Sequence, residues 1–115
     1  KTRQQFGQPI GRNQALQHRA TEMFVALEQG RSLAMLAAMT IDEPDAAERA
    51  RNISMVKAGI GQAGRFVSQN AVQLHGGIGM TEEYAVGHCL RRIHVLDQLF
   101  GDVDAQAARL VKMSA

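Results

Sequence analysis

A chain of 115 residues is long enough for one domain with a moderate core, and one Tyr, four Phe and no Trp are too few aromatic residues for a β-sandwich or barrel. The net charge is only +2, with acidic and basic residues interleaved, which disfavours nucleic-acid binding. No apolar run approaches the ~18 residues of a membrane span and no signal peptide is recognisable, so we expect a cytoplasmic protein that does not enter a membrane.

The composition favours helices throughout the chain. Alanine is abundant, and only two prolines interrupt the sequence. We therefore predict an all-α fold, an antiparallel helical bundle, formed by one domain over residues 1–115. The first residue is not Met and the sequence starts in the middle of a pattern, so we interpret the chain as a fragment of a longer protein.

The first long helix is predicted from Gln14 to about Thr40, after an extended or turning lead-in and with Asn13 as N-cap. Its apolar residues follow spacings of three and four, namely Leu16, Ala20, Met23, Phe24, Leu27 and Ala34. From Leu33 to Met39 the helix is apolar nearly all round, which predicts burial on more than one side. We expect helices from elsewhere in the full protein, or from another subunit, to cover the second side.

The second long helix is predicted after a short polar turn at residues 41–45, with Pro44 expected in its first turn. Gly59, Gly61 and Gly64 lie inside this helix, where each costs about 1 kcal/mol relative to Ala. The expected compensation is a close approach of neighbouring helices. The predicted core stripe of this helix comprises Ile53, Val56, Ile60, Val67, Ala71 and Leu74.

Three glycines, Gly76, Gly77 and Gly79, interrupt the helical pattern and predict a turn. They could simply end the second helix as caps, or they could let a ligand or a neighbouring subunit approach the bare main chain. Thr81 is a candidate N-cap for a third helix, and Asp102 is one for a short fourth helix. The predicted inward residues of the third helix are Val86, Leu90, Ile93 and Leu96.

Two stretches of the sequence resemble the C-terminal domain of acyl-CoA dehydrogenases. The run Gln-Leu-His-Gly-Gly-Ile-Gly-Met-Thr-Glu-Glu-Tyr at residues 73–84 is similar to a signature near the C-terminus of that family. Arg-Gln-Gln-Phe-Gly-Gln-Pro-Ile at residues 3–10 is similar to the segment that opens its C-terminal helical domain. The separation of the two matches needs no gap, and together they cover nearly the whole chain.

The resemblance implies an FAD-dependent oxidoreductase of fatty acid metabolism that removes hydrogens from C2 and C3 of an acyl-CoA thioester. It implies a homo- or heterotetramer in which this fragment, inactive alone, supplies flavin contacts and subunit packing, and it leaves room for an electron-transfer partner. Arg3 would contact the FAD pyrophosphate, Phe6 would pack by the adenine or flavin, and Gln73 would meet the adenosine half. The full set of implied cofactor-binding residues is Arg3, Gln5, Phe6, Gln73, His75, Gly76 and Gly77.

The chain departs from the family where many members carry the catalytic glutamate, just before a glycine. Phe100 occupies that position, before Gly101, and it cannot accept a proton. Three explanations stay open: the base lies on a helix upstream, a partner subunit supplies it, or the activity has been lost. Asp97 and Asp102 are the nearest carboxylates, but we expect a solvated helix face for the first and a helix cap for the second.

Two rival functions of the same fold stay open. One is a non-catalytic partner subunit that completes a neighbour's FAD site, and the segment around Phe100 does resemble the small subunit of pimeloyl-CoA-type dehydrogenases. The other is a flavin monooxygenase or nitroalkane-oxidase-like enzyme. No metal site is predicted, because His88 and His94 lack the i, i+4 spacing of a two-histidine site. Cys89 is expected to be a small buried side chain rather than a nucleophile.

Overall fold

The computed structural model describes residues 14–76 and 85–114, together with the backbone of two short strands near the start of the chain. The elements are β1 (Gln4–Gln5), β2 (Gln8–Pro9), α1 (Gln14–Thr40), α2 (Ala46–His75), α3 (Ala85–Gln98) and α4 (Val103–Ser114). The two strands pair antiparallel. The predicted all-α bundle of two long and two shorter helices is confirmed, and the described residues of the predicted lead-in form the two paired strands.

Aspartate side chains begin two of the helices. The Asp45 carboxylate accepts hydrogen bonds from the backbone N–H groups of Ala47 at 2.9 Å and Glu48 at 3.4 Å, so it caps α2. Pro44 therefore lies before the cap, and its expected place in the first helical turn was wrong. Asp102 caps α4 as predicted, since its Oδ1 accepts from the N–H of Ala105 at 2.9 Å.

Helix α2 is the centre of the bundle, because α1, α3 and α4 all pack against it. Its glycines let the neighbours approach closely, as predicted. A Cβ atom added to Gly61 would lie 2.5 Å from Val103 Cγ2 and 2.6 Å from Asp97 Oδ1. A Cβ at Gly64 would lie 3.2 Å from Ile93 Cγ2. One side of α2 therefore holds α3 and α4 at distances that a larger residue would not allow.

The opposite side of α2 packs against α1 as an antiparallel helical hairpin. Gly59 faces Leu33, whose Cδ1 is 2.5 Å from the position of an added Cβ, and Gly30 on α1 faces Ala63 at 3.7 Å. Most half-buried or buried residues of α1 lie on one line, which from Met23 onward has alternating spacings of three and four, a pattern that keeps one seam against a partner helix. These residues are Leu16, Met23, Ala26, Gly30, Leu33, Ala37 and Thr40.

Only part of each predicted apolar stripe is buried or half-buried, and the rest is exposed. Phe24 on α1 is 61% exposed, and Ile53 and Ile60 on α2 are also exposed, whereas Val56 is buried as predicted. Leu96 on α3 is exposed rather than inward, and the side chain of Val86 lies outside the described residues. The reason is that small residues, not large apolar ones, occupy the closest helix contacts, so the seams run through glycine and serine positions that hydrophobicity does not mark.

Large apolar side chains remain exposed on the outside of the hairpin. Met35 and Met39, in the segment of α1 that is apolar nearly all round, are 63% and 78% exposed. The radius of gyration is 17.4 Å, against about 13 Å for a compact chain of this length. The described residues thus form an elongated layer with a small core, and coverage of α1 by other helices stays a prediction. None of the described helices is long and apolar enough to cross a membrane.

Replacing Gly61 tests the close approach of the helices. We expect Gly61→Ala to destabilise the full-length protein by about 2 kcal/mol, because the new methyl group would meet the stiff Val103 side chain and the Asp97 carboxylate. Gly30→Ala is the matched control, since its methyl group makes an ordinary contact with Ala63 at 3.7 Å and improves helix propensity. Thermal unfolding measures both, and equal midpoints for the two variants would contradict the packing at Gly61.

Candidate functional site

Antiparallel packing brings the start of α1 and the end of α2 to the same end of the bundle. There the guanidinium of Arg19 donates a hydrogen bond from Nη1 to Oε1 of Gln73 at 2.9 Å, and both side chains are exposed. Gln73 is a predicted site residue, whereas sequence analysis missed Arg19, which lies 54 positions away. No local motif marks Arg19. Only the register of the hairpin, set by Gly59 against Leu33, places it opposite Gln73.

Two further predicted site residues lie at the C-terminus of α2. His75 is exposed, and its Nδ1 donates to the backbone oxygen of Ala71 at 2.8 Å. Gly76 ends the helix with φ +66°, in the left-handed region that favours glycine, and its N–H donates to the backbone oxygen of Gln73. The capping role of Gly76 is therefore confirmed.

The other predicted site residues lie largely beyond the described part of the chain. Arg3, Phe6 and Gly77 fall outside it, and so does the candidate cap Thr81. Gln5 is described by its backbone alone, as part of β1. The structure thus brings together Gln73, His75 and Gly76, and adds Arg19 to them.

The exposed side chains of Arg19 and Gln73 bring hydrogen-bond donors and a positive charge to this end of the bundle. Among the residues that the structure describes, no carboxylate lies within 4.0 Å of the Arg19 guanidinium, and the nearby Glu22 pairs instead with His18 at 3.6 Å. Arginine has only donors, and the bond to Gln73 uses one of them. This donor set suits an anionic ligand rich in acceptor atoms, such as a dinucleotide.

The turn after α3 presents Phe100 to the outside. The side chain is 95% exposed, and φ is +59°, a left-handed conformation that is unfavourable for a phenylalanine by about 1 kcal/mol or more. Gln106 Nε2 donates to the Phe100 carbonyl at 2.8 Å, and Lys57 Nζ donates to the Gly101 carbonyl at 3.0 Å. Hydrogen bonds from two helices therefore hold this strained turn in place.

The Asp97 carboxylate is buried, with 7% of its side chain exposed, so the predicted solvated helix face was wrong. Its Oδ2 lies 3.2 Å from Arg65 Nη2, and its Oδ1 lies 3.8 Å from Lys57 Nζ, which is an ion pair too long for a hydrogen bond. Asp97 lies on the same inward face of α3 as Leu90 and Ile93, so its carboxylate enters the interface with α2. There the positive charges of Lys57 and Arg65 compensate its negative charge. This carboxylate holds helices together and is not presented as a base.

Two other predictions concern metal ligands and the cysteine. In the described ranges, the structure holds no group of three or more His, Cys, Asp or Glu residues arranged to bind a metal ion. Cys89 is exposed, so its expected burial was wrong. The inward line of α3 passes through Gly87, Leu90 and Ile93, and Cys89 lies off that line.

Comparison with known proteins identifies the class to which this arrangement belongs. A sequence model described as the acyl-CoA dehydrogenase C-terminal domain matches residues 1–114. The all-α bundle agrees with this match. The chain belongs to the acyl-CoA dehydrogenase family and corresponds to its C-terminal domain.

Individual relatives carry different reaction names. An L-prolyl-[peptidyl-carrier protein] dehydrogenase of Pseudomonas fluorescens is 37% identical over 79% of this chain and 23% of its own length. The acyl-CoA dehydrogenase IpdE2 of Mycolicibacterium smegmatis is 32% identical over 96% of this chain and 33% of its own length. A 3-(aryl)acrylate reductase of Clostridium sporogenes is 28% identical over 92% of this chain and 28% of its own length. The chain thus spans a third or less of these relatives.

The strain at Phe100 can be tested by substitution. We expect Phe100→Asn to stabilise the full-length protein by about 0.5–1 kcal/mol, because asparagine tolerates the left-handed conformation and the exposed ring gives up few contacts. Leu99→Asn is the control, since Leu99 is a neighbouring exposed residue outside the left-handed region. A lower unfolding midpoint for Phe100→Asn than for Leu99→Asn would contradict the strain and indicate contacts of the ring in the assembled protein.

The role of Asp97 can be tested in the same way. We expect Asp97→Asn to destabilise the protein by about 2 kcal/mol, because Lys57 and Arg65 lose the anion that compensates them at the helix interface. Arg65 is nearly half exposed, which keeps the expected loss below that of a fully buried pair. Asp104→Asn, at an exposed position in the first turn of α4, is the control, and equal losses for the two variants in denaturant unfolding would contradict the assignment.

Proposed function

We propose that the full protein is an FAD-dependent enzyme that dehydrogenates an acyl thioester between C2 and C3, and that this chain supplies flavin contacts and subunit packing. The observation that carries the proposal is the match of residues 1–114 to the acyl-CoA dehydrogenase C-terminal domain. The exposed amide of Gln73, whose oxygen accepts a hydrogen bond from Arg19, supports it from the geometry, because an amide donor suits the acceptor-rich adenosine half of FAD.

The proposed cofactor-binding residues come from the two stretches that resemble the family, at residues 3–10 and residues 73–84. Gln73 and Gly77 would meet the adenosine half, and His75, beside Gly76, would border the flavin. Arg3, Gln5 and Phe6 would come from the lead-in, and Gly77 from the turn after α2. When bound, FAD supplies the redox chemistry by accepting the hydride from C3, while a carboxylate takes the proton from C2 and the enoyl thioester remains.

The proposed base lies outside this chain. Phe100 cannot take a proton, and Asp97 is engaged by Lys57 and Arg65. Asp102 caps α4. The exposed ring of Phe100 instead offers an apolar surface where many members of the family carry a carboxylate. We therefore propose that the C2 proton goes to a carboxylate upstream in the full protein.

Exposed apolar surface supports the proposed packing of this chain against other helices. Phe24, Met35 and Met39 on the outer face of α1 are largely exposed. Exposed apolar patches of this kind usually mark a surface that another protein surface covers. We propose that the full protein is a homo- or heterotetramer in which this face is covered. Acyl-CoA is the proposed substrate and an electron-transfer protein the proposed acceptor, in the cytoplasm.

Anaerobic spectroscopy of the full-length protein tests the dehydrogenase. We expect a flavin absorption spectrum that bleaches when a suitable thioester is added, because the substrate transfers its hydride without oxygen. The panel should contain acyl-CoA thioesters and a carrier-protein thioester, since relatives named as an acyl-CoA dehydrogenase and as an L-prolyl-[peptidyl-carrier protein] dehydrogenase are similar to this chain. It should also contain a 3-arylacrylate, because another relative is named as a 3-(aryl)acrylate reductase. Bound flavin that stays oxidised with the whole panel would contradict a self-sufficient dehydrogenase, and rapid reaction with oxygen would favour a monooxygenase.

A non-catalytic partner subunit is the second candidate function, and Phe100 favours it because the usual base is missing. Such a subunit, like that of a pimeloyl-CoA-type dehydrogenase, would show thioester oxidation only when mixed with a base-containing partner. Phe100→Glu distinguishes a base that lies upstream from an activity that has been lost. A base upstream predicts bleaching in the wild type and no gain from the glutamate, whereas lost activity predicts an inert wild type that the glutamate can revive.

A further inference from the structure

We propose that Arg19 is a positioning residue that orients the side-chain amide of Gln73, so that this amide offers the cofactor a hydrogen-bond donor. The inference rests on the proposed function, in which Gln73 meets the adenosine half of FAD. The observation that carries it is the 2.9 Å hydrogen bond from Arg19 Nη1 to Gln73 Oε1, which joins residues 54 positions apart.

The chemistry of the two groups fixes the direction of the amide. A guanidinium has donors and no acceptor, so Gln73 must turn its oxygen toward Arg19 and its NH₂ group away. Within the part of the chain that the structure describes, the NH₂ group of Gln73 makes no hydrogen bond, and the side chain is exposed. The group that faces a ligand is therefore a donor.

Without Arg19 the amide would not keep this direction. The terminal torsion of glutamine is broad and roughly two-fold, so an unheld side chain presents its oxygen or its nitrogen with similar ease. The adenosine half of FAD offers mainly acceptors in its ring nitrogens, ribose oxygens and phosphates. An amide already turned to donate loses less freedom when the cofactor binds, which improves affinity.

The helix hairpin holds the pair in register. Gly30 against Ala63 and Gly59 against Leu33 fix α1 on α2, and Arg19 and Gln73 lie further along the same antiparallel interface. Both residues belong to helices rather than loops, so the amide is held by rigid elements. Arg19 acts through Gln73 and needs no contact of its own with the cofactor.

The sharpest test separates the donor from the link to Arg19. Gln73→Glu keeps an acceptor for Arg19 but has no donor, and we expect the full-length apoprotein to bind FAD about tenfold more weakly, as flavin fluorescence titration measures. Gln69→Glu adds the same charge at an exposed position one turn earlier on α2, so it controls for electrostatic repulsion and should leave the affinity unchanged within about twofold.

Variants of Arg19 test the positioning itself. We expect Arg19→Met to weaken FAD binding about fivefold, Arg19→Lys to restore most of the affinity, and Arg19→Met to have no further effect in a Gln73→Met background. Arg31→Met is the matched control, since Arg31 is an exposed arginine on α1 that bonds to Glu28 and not to Gln73. The unfolding midpoint of the apoprotein should not move with Arg19→Met, because the bond is exposed.

Each possible result either supports or overturns the positioning role of Arg19. Wild-type affinity in Gln73→Glu, additive effects of Arg19→Met and Gln73→Met, or a lowered unfolding midpoint that accounts for the loss would each overturn the positioning role. FAD that binds equally well to wild type and Arg19→Met overturns this inference and leaves the proposed function standing. A full-length protein that binds no FAD under any condition overturns the proposed function and the inference together.

Discussion

The carboxylate of Asp97 at the interface of α2 and α3 is the interaction on which the C-terminal half of the chain depends. It enters the interface because Gly61 has no side chain, and its charge is compensated by Lys57 and Arg65 from the facing helix. The same Lys57 ammonium also binds the backbone oxygens of Asp97 and Gly101 at 2.8 and 3.0 Å. One lysine thus joins a buried charge to the turn that leads into α4.

That turn combines a firmly held backbone with an exposed apolar side chain. Its backbone is pinned from α2 and α4, yet its Phe100 side chain is exposed in a strained conformation. Strained, well-anchored residues persist where the surrounding structure determines them, and they concentrate at functional sites. Met35 and Met39 of α1 are also exposed, although a helical segment that is apolar nearly all round is normally buried on more than one side.

The candidate site follows from the antiparallel hairpin. Helix α1 begins and helix α2 ends at the same place, so a residue early in the chain meets the signature that lies more than fifty positions later. The C-terminus of a helix carries a partial negative charge, which makes the end of α2 by itself a poor place for an anionic ligand. The bond from Arg19 turns the Gln73 amide there into a directed donor.

The sequence by itself determined the helices, their order and the family, because periodicity, capping residues and the motif at residues 73–84 are local signals. It also predicted close approach at the glycines of α2, since only packing could offset their low helix propensity. Only the tertiary structure decided that Asp97 is buried and that Arg19 meets Gln73. Burial of a charge and pairing across a hairpin depend on which residues of another helix lie opposite, and neither hydrophobicity nor spacing along one helix contains that information.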